Sequence, residues 1–341
     1  GGLVRARRRL PVSAEAALSN IAGISSIASF WMFMLSRAFQ AKARQIGIAA
    51  AALLALCFAC VTLSIVARGL AAARFPIANL YESLLLFSWG LLLLFLLWGR
   101  SKRLPQMGWL TALTVSCVFL YLSWLPASQH EIKPLMPALV SYWRAIHVPP
   151  LIVSYAFLVM GGLLAIGHLW LARRIKTAVY SVAALSVCLA SIALGTFTKL
   201  EPQIVQLIFW LGLLVTCTGM VRVFVTESRE AYPATPQVDA IDELSQKCIS
   251  TAFPLLTFGI VTGALWANHA WGSYWSWDPK ESMSLATWLS YAAYLHLRSR
   301  TGSNSDCLSL CAVLGLLLTL LTYLGFTFLG IGGLHSYGRI S

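Results

Sequence analysis

Charged residues are scarce in this sequence. Only 11% of its 341 residues are Asp, Glu, Lys or Arg, whereas a typical soluble domain has roughly 25%. Hydrophobic residues make up 58%, so the composition excludes an ordinary soluble protein and predicts a membrane protein. The eight Cys are scattered through apolar stretches, which argues against a secreted disulfide scaffold. The chain begins with Gly rather than Met, which leaves room for an upstream segment such as a removed targeting peptide.

Ten stretches have the length and composition of transmembrane helices, since a span needs about 20 mainly apolar residues. They lie near residues 15–36, 46–67, 78–98, 107–125, 148–172, 179–198, 204–225, 247–267, 282–298 and 308–330. The predicted fold class is therefore an all-α polytopic membrane protein with about ten transmembrane helices. Nine is the alternative, because 15–36 contains several Ser and an Asn and would then lie on the inner surface.

The basic residues indicate the orientation of the spans, because Lys and Arg accumulate in cytoplasmic loops. About twice as many of the 25 Lys and Arg residues fall in the loops of one side as in those of the other. With this orientation the loops 126–147 and 268–281 and the tail 331–341 share the outer face. We divide the chain into a basic N-terminal segment, 1–14, and a membrane domain, 15–341. The net charge of +13 reflects this topology rather than a nucleic-acid partner.

An aromatic cluster follows the eighth predicted span. Residues 266–282 read WANHAWGSYWSWDPKES and contain four Trp and one Tyr. One or two Trp at a helix end are typical of a membrane-interface belt, but that role does not explain the charged Asp-Pro-Lys-Glu that follows directly. Flat aromatic side chains suit a flat hydrophobic ligand, Lys280 suits an anionic group, and Pro279 suits the first position of the next helix.

This cluster is similar to the tryptophan-rich WWD signature of the haem-handling proteins of cytochrome c maturation. The segments WRAIHVPPLIVSYA at 143–156 and GIGGLHSYGR at 330–339 narrow the resemblance to the CcsA family, the integral-membrane half of the system II cytochrome c synthase. The resemblance is strongest from about 242 to 338 and returns at 76–89, where the role of Glu82 is left open.

The resemblance implies a function in cytochrome c biogenesis. A member of this family is expected to bind b-type haem transiently at the outer (lumenal or periplasmic) face of a thylakoid or bacterial inner membrane. With a CcsB-type partner it would act as a cytochrome c synthase (haem lyase) subunit that attaches the haem covalently to the CxxCH of an apocytochrome c. The chain has no CxxCH of its own, so it is not itself a c-type cytochrome.

The prediction of an outer haem site rests on both topology and resemblance. His147 and His335 fall on the same predicted face as the WWD segment, imidazole is a common axial ligand of haem iron, and both positions match the axial histidines of the family. No catalytic residue is expected beyond those that position haem. The resemblance implies a platform for the macrocycle that consists of Trp271, Gly272, Tyr274, Trp275, Trp277, Asp278 and Lys280.

The remaining histidines differ from these two. His296 falls inside the ninth predicted span, roughly 28 Å from Trp277 along a continuous helix, and the resemblance implies an inner haem-iron ligand whose opposite ligand comes from the partner. The alternative is a histidine that snorkels beside Arg298. His130, His168 and His269 match no family position. Cys57 and Cys60 form a CxxC within a span, where apolar neighbours favour inert thiols.

Three other classes share part of this pattern. System I haem handlers of the CcmC or CcmF type share the WWD signature, but the LHSYG sequence of the tail favours CcsA. A b-type electron-transfer subunit would need intramembrane histidine pairs, and this chain offers one confident intramembrane histidine. A small-molecule transporter would show broken spans and midplane charges, whereas the charges here gather at the span boundaries.

Overall fold

A computed structural model describes residues 2–98, 105–125, 127–135, 139–171, 236–301 and 306–325, together with positions 183, 211 and 218. All regular elements within these ranges are helical, which confirms the predicted all-α fold class. The α-helices are α1 (Gly2–Ala38), α2 (Ala43–Ala72), α3 (Leu80–Trp98), α4 (Pro105–Trp124), α5 (Ala127–His130), α6 (Trp143–Leu171), α7 (Pro236–Trp271), α8 (Pro279–Thr301) and α9 (Asp306–Leu320). A 3₁₀ turn at Gln40–Lys42 precedes α2, and a π-helical turn at Leu321–Gly325 continues α9.

Seven helices of the described residues are long and apolar enough to cross a membrane. They are Ala14–Ser36, Ala43–Ala72, Leu80–Trp98, Met107–Trp124, Trp143–Leu169, Val238–Trp271 and Cys307–Gly325. Each coincides with one predicted span, so the chain is a multi-pass membrane protein. The predicted spans 179–198 and 204–225 lie outside the described residues. The predicted span 282–298 is helical within α8 but is not among the seven, because its Ser, Tyr, His and Arg residues lower its hydropathy.

The first of two compact units comprises residues 1–156. Its helices α1 and α2 run antiparallel along most of their length, as three contacts spread along the pair show. Arg68 Nη1 lies 3.7 Å from Glu15 Oε2, Cys57 Sγ donates to the Ala22 carbonyl at 3.3 Å, and Ser29 Oγ donates to the Ala50 carbonyl at 2.8 Å. This antiparallel packing supports a membrane-spanning α1 over an α1 that lies on the inner surface.

The two cysteines of the CxxC lie on α2 within this unit. Both Cys57 and Cys60 are buried, and neither forms a disulfide. Reactive thiols need access and thiolate character, so the structure agrees with the expectation that these cysteines are inert.

The second compact unit comprises residues 157–341, and its boundary falls within α6. Small residues allow close approach of helices here, as membrane helices prefer: Ser245 Oγ donates to the Gly161 carbonyl at 2.8 Å. A Cβ at Gly161 would lie 2.9 Å from Ile249 Cγ1, so a larger residue would force α6 and α7 apart.

Helix α8 carries more polar residues than the helices beside it, and these residues meet polar partners. They pair as Thr287 with Thr322, Trp288 with Thr257, Tyr291 with Thr319, and Arg298 with Asp242 and Gln246. The Arg298–Asp242 pair is close, at 2.6 Å between Nη1 and Oδ2. Since polar groups within an apolar layer must be satisfied by protein, this pairing explains how a helix of low average hydropathy lies among apolar ones.

Candidate functional site

The aromatic segment begins where α7 ends. Helix α7 continues to Trp271, and the Gly272 N–H donates to the Asn268 carbonyl at 2.9 Å. Gly272 has a φ of 76°, the left-handed conformation in which glycine commonly follows a helix C-terminus. Because α8 starts at Pro279, the non-helical part of the predicted loop 266–282 is confined to residues 272–278.

Large aromatic rings are exposed along this segment. Trp271, Tyr274 and Trp277 are 36%, 58% and 71% exposed, and the Trp275 ring lies edge-on to Trp277 with 6.0 Å between the ring centroids. Exposed large aromatic side chains that cluster within a short segment mark a candidate site of interaction. The exposed ring faces fit a flat apolar macrocycle such as haem, so the residues present agree with the cargo that the resemblance implies.

The backbone at Trp277 is strained. Its φ of 58° is unusual for a bulky residue and persists only where neighbouring contacts hold it. Glu281 supplies such contacts, because its Oε2 accepts hydrogen bonds from the N–H groups of Ser276 at 2.8 Å and Asp278 at 3.2 Å. Asp278 Oδ1 accepts from the Lys280 N–H at 2.9 Å, so Asp278 and Glu281 form a capping box at the start of α8.

Glu281 is a positioning residue that the sequence analysis did not single out. The signal was present in the chain as Asp-x-x-Glu at a helix start with Pro at the first helical position. The same geometry gives Asp278 a structural role. The residue is buried and its carboxylate bonds to the backbone of its own helix, so it shapes the platform, and its contact with a cofactor stays a prediction.

Replacing Glu281 with Ala should therefore loosen the aromatic segment. The substitution leaves the N–H groups of Ser276 and Asp278 without their acceptor, which should speed their exchange with deuterium by roughly 5-fold for a loss of about 1 kcal/mol. Gln at this position keeps an acceptor oxygen and should preserve most of the protection. Glu243→Ala removes an exposed carboxylate of α7 and serves as the control. Unchanged protection in Glu281→Ala would contradict the role of Glu281.

Lys280 is half-buried beside Asp278. Burial lowers the pKa of the Lys280 ammonium group from its ordinary value, and the Asp278 carboxylate opposes that shift. An anionic ligand group at this position would act in the same direction as Asp278 and stabilise the ammonium form.

The two predicted outer axial histidines differ in what the structure describes. His147 is half-buried near the start of α6, in the first unit. Pro149 and Pro150 follow it within the helix and lack the N–H groups that would bond to the carbonyls of Ala145 and Ile146. His335 lies outside the described residues. The pairing of these two histidines at one haem therefore stays a prediction.

His296 is exposed near the end of α8, in the second unit. The helix is continuous from Pro279 to Thr301, which places His296 roughly 26 Å along the axis from its start. Arg298 turns toward Asp242 and is buried, whereas the exposed His296 does not share that environment. An exposed imidazole on a membrane helix is accessible to a partner chain.

The three histidines that match no family position have ordinary surroundings. His168 is fully buried, with its Nδ1 2.7 Å from Ser309 Oγ. The His130 ring lies 4.6 Å from the Tyr81 ring, centroid to centroid. His269 is exposed near the end of α7.

A buried ionic cluster in the first unit accounts for Glu82, whose role the sequence left open. Arg74 donates to both carboxylate oxygens of Glu82, at 2.9 Å and 3.2 Å. Arg68 Nε donates to Oε1 at 3.0 Å, and the Ala78 N–H donates to Oε2 at 2.6 Å. Arg68 also pairs with Glu15. The cluster joins the start of the apolar part of α1, the end of α2 with the turn that follows it, and the start of α3.

The structure defines a polytopic helical membrane protein with an exposed aromatic segment between two helices. Comparison with known proteins agrees with this class. Residues 77–334 match the family described as Cytochrome C assembly protein. A "Cytochrome c biogenesis protein CcsA" of Picosynechococcus sp. is 36% identical over 295 residues, which cover 82% of this chain and 84% of the relative. The corresponding protein of Synechocystis sp. is 39% identical over 285 residues, 80% of this chain and 82% of the relative.

A third relative extends the similarity over nearly the whole length. The protein of the same description from Gloeothece citriformis is 35% identical over 341 residues, 96% of this chain and 98% of the relative. The chain therefore belongs to the cytochrome c assembly proteins, within the CcsA family. This membership assigns it to cytochrome c biogenesis as a multi-pass protein of a thylakoid or bacterial inner membrane.

Proposed function

We propose that this chain holds haem at the outer membrane face and, with a CcsB-type partner, attaches it to the CxxCH of an apocytochrome c. It would thus act as one subunit of a cytochrome c synthase (haem lyase). The observation that carries the proposal is the exposed aromatic segment, in which a strained Trp277 is held open to solvent by the capping box of α8. Strain held in place by neighbouring contacts clusters at ligand sites.

The aromatic segment would bind the flat face of the macrocycle. Trp271, Tyr274 and Trp277 offer exposed rings, and Trp275 packs against Trp277 edge-on. Gly272 provides the turn after Trp271 that ends α7. Asp278 fixes the start of α8, while Lys280 adds a positive charge beside the platform. Haem is the cargo in this proposal, so the site has to bind it transiently.

His147 and His335 would hold the haem iron at its two axial positions. The reaction adds each of two cysteine S–H groups across one haem vinyl group, with the sulfur bonded to one vinyl carbon and the hydrogen to the other. The reactive carbons belong to the cargo, so the protein contributes position and orientation. The histidine of the acceptor CxxCH would take the place of one of these imidazoles as the product leaves.

His296 would bind haem at an inner site before it reaches the outer one. Its exposed position on α8 fits a shared site in which the second ligand comes from the CcsB-type partner. The alternative, a polar side chain that reaches toward the membrane surface, agrees with the same exposure, so the choice between them depends on the haem content of variants.

Replacing Trp271, Trp275 and Trp277 together with Ala should remove most haem from a protein that still inserts into the membrane. Each aromatic side chain buries a large apolar area on contact with a ligand, so three losses together should lower the haem-to-protein ratio roughly 10-fold or more. The ratio is measured from the haem absorbance of the purified full chain.

Two controls separate this platform from an interface belt. Phe at all three positions keeps apolar ring faces and should retain most of the haem. Ala in place of Trp31 and Trp124, which are exposed in the first unit, should leave the haem content unchanged. Full haem occupancy in the triple Ala variant would leave only a belt function for the cluster and would remove the main support for the proposal.

A further inference from the structure

Arg144 is a buried cation with unused hydrogen-bond donors. Its side chain lies in the first turn of α6 and is only 7% exposed. The Nε and Nη1 atoms are buried and have no hydrogen-bond partner among the described residues. Removing a charge from water without a partner is strongly unfavourable, so a group in this state is retained where something else binds it.

The neighbouring ionic cluster does not satisfy Arg144. Arg144 interacts electrostatically with Arg74, which repels it, and with Glu82, which attracts it. However, both oxygens of Glu82 are already bonded to Arg68, Arg74 and the Ala78 N–H, and Glu15 is paired with Arg68 and Tyr81. Three guanidinium groups thus face two engaged carboxylates, which leaves one positive charge in excess.

The position of Arg144 indicates what kind of ligand would balance this charge. The dipole of a helix favours an anion near its N-terminus, and Arg144 lies in the first turn of α6. The first three N–H groups of α6 already donate to Ser141 and Tyr142, so the helix contributes its dipole and the guanidinium group provides the donors. The guanidinium group itself presents parallel donors that match the two oxygens of a carboxylate or phosphate. His147 follows three residues later, so the two side chains project from the same face of the helix.

We propose that Arg144 binds an oxyanion, and that this oxyanion is a propionate carboxylate of the haem whose iron His147 would hold. The inference rests on the proposed haem-binding function and adds a site for one end of the cargo. One propionate on Arg144 would fix the rotation of the macrocycle about the iron axis, and therefore which edge carries its vinyl groups toward the acceptor thiols. The other source of the same chemistry is the phosphate of a lipid headgroup.

The test compares haem with haem dimethyl ester, whose propionates are uncharged. Binding of both compounds to the full chain is measured in nanodiscs that contain only phosphatidylcholine. Wild type should prefer haem roughly 10-fold or more, as expected for a charge-assisted pair. Arg144→Gln should bind haem no more tightly than it binds the ester, and it should bind the ester as tightly as wild type does. Arg144→Lys should retain part of the preference, because it keeps the charge and loses the fork.

Two further measurements separate binding from a structural role. Ligand-free Arg144→Gln should unfold at the same temperature as wild type or higher, since the substitution removes an unpaired buried charge. The control Arg44→Gln, at an exposed arginine of the same unit, should behave as wild type throughout. A large loss of ligand-free stability in both Arg144 variants would overturn the proposal in favour of a purely structural arginine.

The remaining outcomes distinguish this inference from the function on which it rests. Equal affinity of wild type for haem and its ester would overturn the propionate site and leave haem binding intact. Binding of neither compound would overturn the proposed function itself. If phosphatidylglycerol stabilises wild type but not Arg144→Gln, while both still discriminate haem from the ester, the oxyanion is a lipid phosphate and the propionate assignment is wrong.

Discussion

Assembly of holocytochrome c should fall to background when either His147 or His335 is replaced by Gly, and added imidazole should restore part of it. Removing a group that only supports a metal ligand lowers metal affinity or activity roughly 10–100-fold. Removing the ligand itself should lower the activity at least as much. A small imidazole molecule can fill the space left by the missing ring and bind the iron in its place. The measurement is the yield of haem-bound cytochrome c in cells that express each variant, with and without imidazole.

His269→Gly is the matched control for this experiment. His269 is an exposed histidine near the end of α7 with no proposed role, so its replacement should change the yield little and should not respond to imidazole. Full activity of the His147 or His335 variant without imidazole would remove that residue from the proposed site. A loss that imidazole does not restore would point to a disturbed fold, which the amount of membrane-inserted protein would reveal.

Haem at both sites should be depleted when His296 is replaced by Ala, whereas His335→Ala should empty only the outer site. In the proposed sequence haem binds His296 before it reaches the outer site. Loss of His296 should therefore leave both sites without haem. We expect the haem-to-protein ratio of the complex with its partner to fall roughly 10-fold or more in His296→Ala, since each lost ligand interaction of about 1.4 kcal/mol costs a factor of 10.

The ratio should be measured in parallel on Arg300→Gln, which alters an exposed residue of the same helix without a proposed role. Its haem content should match wild type. A His296→Ala complex with a loaded outer site and normal cytochrome c assembly would mean that His296 is only a polar residue at the membrane surface. Haem would then reach the outer face by another route, and the outer site would stand without the inner one.

Helices with a long apolar stretch were predictable from the sequence, because length and hydropathy are properties of each segment alone. Each of the seven candidate spans contains such a stretch. Helix α8 shows where that reasoning ends. Hydropathy averages over α8 could not show that Thr287, Trp288 and Arg298 each have a polar partner on a neighbouring helix, because the partners are distant in the chain.

The aromatic segment was predictable in composition but not in conformation. The Asp-x-x-Glu spacing contains the capping box, and a glycine after WANHAW marks the end of α7. By contrast, nothing in the residue type indicates a positive φ at Trp277, since Trp rarely adopts it. That conformation follows from the bonds that Glu281 makes to the backbone on both sides of Trp277.

The ionic cluster around Glu82 needed the fold as well. Glu82 was conspicuous as a carboxylate beside an apolar run, but its partners come from another part of the chain, Arg68 from α2 and Arg74 from the turn after α2. Arg144 contributed only to the count of basic residues in an outer loop until its burial showed that it lies in the same electrostatic environment.

The pairing of α8 with its neighbours also constrains how the protein is made. A segment this polar does not partition into lipid as a lone helix, because the insertion machinery rejects central polar and charged side chains unless they are compensated. Asp242 and Gln246 on α7 emerge from the ribosome before Arg298, whereas Thr319 and Thr322 emerge after it. We therefore expect the nascent α8 to stay beside α7 at the translocon until the next segment arrives, so that these three helices enter the bilayer as a group.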